Sequence, residues 1–295
     1  MSERICVVLV THNRLALLRE SLSALARSTT PIDQIIVVNN QSTDGTGEAL
    51  ATDFPQVTVI TTAANVGSAG GYFLGIRAAH QHGFDWIWTF DDDSIVEPDA
   101  LEQLLAARSR FSESHRPGLL ASKVVWTDGS LHPMNIQKPK LYNADQQFLA
   151  AGCSTMSIRF TSFVSMLIHR SLIDRYGLPI AGYFLWNDDV EYSARILRNE
   201  LGVLVPSSIV CHKTALKHVP ATSSAEKFYF EVRNKLWIIR LSNAFAHDEK
   251  WWMFKSLLRR TWHHVCDNHF RLAVMRAVLK GLVDGLTHRP APITQ

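Results

Sequence analysis

The sequence is short of cysteine, of long apolar runs and of net charge, and each shortage removes a class of protein. Cys6, Cys153, Cys211 and Cys266 lie far apart without a Cys-x-x-Cys pair. Neither a disulfide framework nor a zinc cage is therefore expected, and a reducing cytoplasm suits the chain. No stretch approaches the roughly 20 apolar residues that span a bilayer. The first apolar run, Ile5 to Val10, is shorter than a signal-peptide core and meets polar Thr11-His12-Asn13-Arg14 at once, so it reads as a buried first strand. The expectation is a cytoplasmic protein, soluble or peripheral at the inner face of the cell membrane. No internal repeat or low-complexity tract is present, and no nucleic-acid partner is expected.

What is present is a chain of 295 residues, 46% of them hydrophobic, which suffices for one sizeable core with an appendage. The net charge of +3 conceals an asymmetry: residues 250–295 hold eight Lys/Arg against two Asp/Glu, leaving −3 for the remainder. A basic end fits an anionic surface or a solvated helix face. In the first half, β-rich apolar runs alternate with helical segments: Ile5–Val10 then Leu15–Ala26, Gln34–Asn39 then Gly45–Ala51, Val57–Thr61 then Gly70–His82, Trp86–Phe90 then Pro98–Ala107. Such alternation predicts an α/β fold, a mostly parallel sheet with helices on both faces. Residues 127–157, rich in Gly, Pro, Asn, Gln and Ser, read as a long excursion or mobile segment. Phe163–Ile168 reads as a strand, Leu172–Tyr176 and Val190–Asn199 as helices, and Gly202–Val205 and Ile209–Cys211 as further strand. From Ser224 the period is helical, which predicts a C-terminal helical extension (216–295) after a catalytic domain (1–215).

Ligands of parallel sheets bind beyond the carboxyl ends of the strands. Thr11-His12-Asn13, Asn39-Asn40, Asn65 with Gly67, and Asp91-Asp92-Asp93 each follow a predicted strand, so four polar clusters should converge on one edge. The acidic triplet fits either a hydrophilic loop or a site where Mg²⁺ or Mn²⁺ joins carboxylates to substrate phosphates. A second acidic group, Trp186-Asn187-Asp188-Asp189-Val190-Glu191, opens a helix behind the aromatic residues Tyr183, Phe184 and Trp186, a wall suited to a sugar face. Helix capping accounts for part of it. His212, after Ile209-Val210-Cys211, fits a nitrogen ligand for the same metal or a structural histidine. The segment Asn65 to Gly71 fits a loop whose backbone N–H groups face a diphosphate, or a glycine-permitted turn.

Together these motifs resemble the inverting glycosyltransferase family 2 with the GT-A (Rossmann-like) fold. The match runs through Val7 to Arg14, Val37 to Thr46, Asn65 to Gly71, Asp91-Asp92-Asp93, Trp186 to Glu191 and His212. The resemblance implies a nucleotide-diphosphate sugar donor, with Thr11, Asn13 and Arg14 lining the nucleotide pocket and Asn39 on the pyrimidine base. Asn65, Gly67, Asp91 and Asp92 would complete the donor site. Asp91 and Asp93, with His212, would hold Mn²⁺ or Mg²⁺. Asp189 would deprotonate the acceptor hydroxyl, with Asp188 beside it, while Trp186 and Glu191 would serve the acceptor. The Trp186 to Tyr192 motif followed by His212, and the aromatic-Arg-Asn element within Phe228 to Asn234, are similar to segments of galactofuranosyltransferases and rhamnosyltransferases. UDP-galactofuranose is therefore the expected donor, with dTDP-rhamnose the alternative, and a glycan or lipid-linked oligosaccharide of a bacterial surface polysaccharide the expected acceptor.

Two departures stand out: Asn39-Asn40 occupies a place where relatives commonly have Asp, and Phe163-Val164-Ser165-Met166 lacks a glycine often found there. An inactive nucleotide-sugar-binding partner is the non-enzymatic alternative, opposed by the intact acidic motifs. A nucleotidyltransferase is disfavoured because no glycine-rich, lysine-bearing loop follows the first strand. In residues 250–289, Trp251, Trp252 and Trp262 accompany Lys250, Lys255, Arg259 and Arg260, which fits an anionic membrane interface, core packing or a homo-oligomer contact.

Overall fold

A computed structural model describes residues 3–217 and 224–292. The first half runs β1 (Ile5–Thr11), α1 (Leu15–Leu25), β2 (Gln34–Asn39), α2 (Thr46–Asp53), β3 (Thr58–Thr61), α3 (Gly67–Gln81), β4 (Trp86–Asp91), β5 (Ser94–Val96) and α4 (Ala100–Ser109). It continues through β6 (Leu119–Val125), β7 (Lys138–Pro139), α5 (Ala144–Gly152), β8 (Met156–Phe160), β9 (Met166–His169), α6 (Arg170–Tyr176), α7 (Asp188–Leu197) and β10 (Gly202–His212). Three helices, α8 (Ala225–Leu241), α9 (His247–Asp267) and α10 (Leu272–Thr287), close the chain.

The sheet order is β3-β2-β1-β4-β9-β6-β10-β8-β7, with β5 paired to β10. It is parallel through β3-β2-β1-β4 and again between β6 and β10. The antiparallel strand β9 joins these two parallel blocks. Alternate residues of β1 explain the burial on both faces. Val7 and Leu9 enter one core with Leu18 and Leu22 of α1 and Leu101 and Leu104 of α4. Cys6, Val8 and Val10 enter the other with Tyr72 and Ile76 of α3. The chain leaves β1 for β2 and β3 on one side and returns to β4 on the other. Its carboxyl edge is therefore the switch point at which open α/β sheets bind ligands.

Several local expectations shift. Residues 127–157 are built into the fold, contributing β7, α5 and the start of β8. The predicted strand at Phe163–Ile168 begins at Met166, because Ser165 takes φ 57° and donates its N–H across to the Thr89 carbonyl. The two strand pieces predicted around Pro206 form one strand, β10, whose pairing to β6 slips between Val205 and Ile209. A bulge keeps both halves in one sheet. The C-terminal helices bury their own cluster, Phe228, Val232 and Leu236 of α8 against Leu257 and Val265 of α9 and Val274 and Val278 of α10. Trp237 and Ile238 join Ala69, Tyr183 and Ala194 in a further cluster that ties α8 to the sheet domain. A cavity lined by Ile5, Trp86 and Arg108 lies at the amino ends of β1 and β4, remote from the edge of interest.

Helix α3 lies unusually close to β1. A Cβ at Gly71 would come within 2.5 Å of Val10 Cγ1, and one at Gly75 within 2.4 Å of Val8 Cγ1. Gly75→Val should therefore lower the unfolding free energy by about 2 kcal/mol or more, as overpacking does. A shift of the urea midpoint reads this; an unchanged midpoint would mean that the helix can move aside.

Candidate functional site

The four polar clusters do converge on the carboxyl edge. Thr11 Oγ1 donates to Asp92 at 2.9 Å, and Asn40 Nδ2 donates to Asn65 Oδ1 at 2.9 Å. His12 donates from Nδ1 to the Asn40 carbonyl at 2.7 Å, and its Nε2 lies 3.4 Å from Asn65 Nδ2. Strand β4 is buried along its length until it delivers Asp91 to the edge. Like charges on adjacent residues repel, so each carboxylate needs its own partners. Tyr72 of α3 donates its hydroxyl to Asp91 Oδ1 at 2.6 Å. Arg14, half exposed, bridges Asp92 Oδ1 at 3.2 Å and Asp93 Oδ2 at 2.7 Å. His212 Nε2 lies 2.9 Å from Asp93 Oδ1 and 3.7 Å from Asp91 Oδ2.

The histidine tautomer follows from its other nitrogen. Nδ1 stands 2.8 Å from Asn135 Oδ1, which only accepts, so Nδ1 carries a proton; Nε2 faces the carboxylates, donates to Asp93 when protonated, and would present its lone pair to a cation that displaced that proton. One ligand atom each from Asp91, Asp93 and His212 lie within 4.8 Å of one another. Two carboxylate oxygens and one imidazole nitrogen suit a divalent cation, and Asp91, 37% exposed, leaves the cluster open on its side. Burial raises the Asp91 carboxyl pKa, although His212 opposes it. Burial also raises Asp92, to about 6 despite Arg14. At Asp93 burial is outweighed by His212 and Arg14, and the pKa falls.

The second acidic group enters the same crevice from the start of α7. Asp188 is buried, and its Oδ2 has no hydrogen-bond partner among the described residues. Burial, and then the adjacent Asp189, hold its pKa well above the usual carboxylate range. Asp189 keeps part of its surface open, yet burial raises its carboxyl to about 7, with Asp91 adding to the shift and the Val190 N–H opposing it. Tyr72, the partner of Asp91, stacks on Phe163, whose ring lies 6.1 Å from Tyr192 of α7, and Ala69 donates to the Phe184 carbonyl just ahead of that helix, so the start of α7 packs on the Asp91 side of the sheet edge.

Other expected residues have different surroundings. Three N–H groups at the α3 amino terminus are taken up within the protein rather than offered to a phosphate. Val66 N–H donates to Asn40 Oδ1, Gly67 N–H to Asn65 Oδ1, and Ala69 N–H to the Phe184 carbonyl. Gly67, at φ 72°, is needed because a Cβ there would sit 2.0 Å from that carbonyl. The turn reading therefore replaces the phosphate-loop reading. Asn39 is 2% exposed and accepts from Ser42 N–H, while Asn13 accepts from Thr43 N–H. Both act on the loop after β2. Glu191, also 2% exposed, accepts from Ser242 at 2.8 Å and Arg195 at 3.2 Å, so it serves the α7–α8 packing rather than a bound acceptor. Trp186 stays partly open beside Asp188. Sequence reasoning missed Tyr72 and Asn135, and it named Asn40 in a polar cluster without giving it a role. Only Asn40 carried a signal, as the second of two asparagines after a strand.

A family model described as Glycosyl transferase family 2 matches residues 6–177. The chain is 29% identical over 210 residues to "Galactofuranosyltransferase GlfT1" of Mycobacterium tuberculosis, covering 68% of this chain and 67% of that one. It is 26% identical over 241 residues to "N-acetylglucosaminyl-diphospho-decaprenol L-rhamnosyltransferase" of the same organism, covering 73% and 78%. Among solved structures it resembles S. aureus TarS 1-349 in complex with UDP, with a TM-score of 0.64, 16% identity and coverage of 96% and 80%. It also resembles a mannosyltransferase of Pyrobaculum calidifontis in complex with GDP-Man and Mn²⁺, with a TM-score of 0.55, 17% identity and coverage of 94% and 72%.

Because Asn135 sets the tautomer of His212, Asn135→Ala should weaken Mn²⁺ binding about tenfold in titration calorimetry, and His212→Ala should weaken it more. Equal affinities in all three proteins would remove His212 from the ligand set.

Proposed function

The chain belongs to glycosyl transferase family 2, and on that premise we propose an inverting, metal-dependent enzyme that transfers galactofuranose from UDP-galactofuranose to a glycan or lipid-linked oligosaccharide of a bacterial surface polysaccharide. The observation that carries this reading is the Asp91, Asp93 and His212 cluster at the sheet edge, with the Asp188-Asp189 helix start packed against the same edge through Phe184, Phe163 and Tyr192. The likeness to a galactofuranosyltransferase supports the donor, and the wider coverage of the rhamnosyltransferase supports dTDP-rhamnose as the second reading. We take 1–215 as the catalytic domain and 216–295 as its extension.

A divalent cation held by Asp91, Asp93 and His212 would supply positive charge to the departing nucleoside diphosphate. Arg14, half exposed beside the triplet, adds a fixed cation on that side. Thr11, Asn13, Asn39, Asn65 and Gly67 wall the nucleotide pocket, chiefly by holding its loops in register. Trp186 offers the sugar a flat apolar face, and Glu191 positions α7 from behind. On the acceptor side, burial and the neighbouring Asp189 disfavour ionisation of Asp188, leaving Asp189, the more open of the two, as the carboxylate that takes the hydroxyl proton. The hydroxyl oxygen then bonds the anomeric carbon as the bond to the diphosphate breaks, and one displacement inverts that carbon.

Peripheral membrane attachment belongs to the same reading. Among the described residues no helix is long and apolar enough to cross a membrane. Helix α9 nevertheless exposes Trp251, Trp252 and Trp262 by 55–65%, with Lys255 Nζ 4.9 Å from the rings of both Trp251 and Trp252. Spacings of three, four and seven residues set Trp251, Lys255, Leu258 and Trp262 on one stripe, the composition of an interfacial helix on anionic lipid.

With Mn²⁺ and UDP-galactofuranose, turnover should climb with pH and level off above about 7 as Asp189 loses its proton. Asp189→Asn should cost about a hundredfold or more in kcat. Wild-type turnover by that variant would remove Asp189 as the base, and transfer from dTDP-rhamnose alone would favour the second reading. Co-sedimentation with phosphatidylglycerol vesicles should exceed that with phosphatidylcholine and be lost in Trp251→Ala/Trp252→Ala/Trp262→Ala. Equal recovery by both vesicles, or dimers that need the same tryptophans, would assign the stripe elsewhere.

A further inference from the structure

The segment that presents Asp188 and Asp189 has a backbone that its own residues do not favour. Phe184, Trp186 and Asn187 each take φ 65°. Left-handed conformations at bulky residues persist only where the surroundings over-determine them. Those surroundings are supplied by one face of α8.

Asn234, with no exposed surface, directs Nδ2 at the carbonyls of Tyr183 (2.9 Å), Leu185 (2.8 Å) and Trp186 (2.8 Å). Two amide protons serve three carbonyl oxygens, so the carbonyls must turn toward one point. Arg233 donates from Nη2 to the Tyr183 carbonyl at 2.7 Å, and from Nε to Asn234 Oδ1 at 2.9 Å, which fixes the amide orientation. Glu231 Oε2 accepts from Asn187 Nδ2 at 2.9 Å, while its Oε1 faces Lys235 Nζ at 2.7 Å and Arg260 Nη1 at 2.9 Å. Burial opposes the charge of Glu231, but Lys235 and Arg260 outweigh it and the carboxyl remains ionised.

We propose that Glu231, Arg233 and Asn234 of α8 are positioning residues for the reaction: they hold the 183–187 segment, with its positive φ at Phe184, Trp186 and Asn187, in the conformation that sets the start of α7, and hence Asp189, at the crevice. The inference rests on the reading of Asp189 as the base. It gives the C-terminal helices a part in catalysis without contact with either substrate. Arg260 brings α9, the helix with the exposed tryptophans, within two contacts of Asn187. Hydrogen bonds to charged groups are worth more than neutral ones, so the Asn187–Glu231 contact is the most informative one to reverse.

Asn187→Asp would set a carboxylate against Glu231 while keeping a good residue at the amino end of a helix. Asn187→Asp/Glu231→Gln would exchange donor and acceptor and remake the bond. The single variant should lose about tenfold or more in kcat, with the KM for the sugar donor and the calorimetric affinity for UDP with Mn²⁺ unchanged. The double variant should recover most of that loss. Amide exchange across 183–190 should quicken in the single variant and slow again in the double. Wild-type kcat and exchange in the single variant would overturn the proposal. So would a parallel fall of donor affinity, melting temperature and kcat in both variants, which is what simple loss of packing gives. If the wild type transfers from none of the donors tried, the glycosyl-transfer reading fails by itself, and unaltered exchange in the single variant would then overturn the positioning role independently.

Discussion

Three neighbouring carboxylates at the end of a buried strand cannot share one place unless the rest of the protein supplies opposing charge and hydrogen-bond donors. Strand β4 brings Asp91, Asp92 and Asp93 to the sheet edge, and each is met from a different element. Tyr72 comes from α3, Thr11 and Arg14 from the end of β1, and His212 from the end of β10. That requirement explains features far from the edge. Helix α3 approaches β1 closely through Gly71 and Gly75, and β10 continues past its bulge to place His212 opposite the triplet.

The second acidic group meets the opposite difficulty. Asp188 and Asp189 are held by few direct partners, so their pKa values rise and their position depends on the loop before them. That loop is pinned from α8 by Asn234, Arg233 and Glu231, and it leans on Gly67 at the start of α3. The crevice therefore has one wall held by charge compensation and one held by backbone hydrogen bonds. In the proposed reaction metal binding and proton removal make different demands, and the two walls match them.

Much of this was legible in the sequence because it depends on local pattern. The alternating β and α runs, the polar clusters after four successive strands and the pairing of Asp91-Asp92-Asp93 with Asp188-Asp189 and His212 can all be read in order along the chain. Contacts between distant positions were not legible. Nothing near Asn135 indicates that its amide orients His212, and nothing near Asn234 indicates that it turns three carbonyls of a loop about fifty residues earlier. The strand at Phe163–Ile168 was legible, but not its antiparallel entry between two parallel blocks, which βα alternation does not indicate. Gly67 allowed two readings, a loop facing a diphosphate and a glycine-permitted turn, and the Phe184 carbonyl beside it, which no local pattern shows, accounts for the glycine as a turn. Glu191 shared a motif with Asp189 but points into the α7–α8 interface, since helix positions two apart lie on opposite faces.

The account rests on the convergence of Asp91, Asp93 and His212 as the place where metal and leaving group meet. Anomalous diffraction from a crystal grown with UDP and Mn²⁺ tests it most directly. The account predicts a manganese peak coordinated by Asp93, His212 and Asp91, with the UDP diphosphate oxygens completing its shell. A diphosphate bound without manganese at these residues, or manganese bound elsewhere in the crevice with His212 still paired to Asp93, would contradict it.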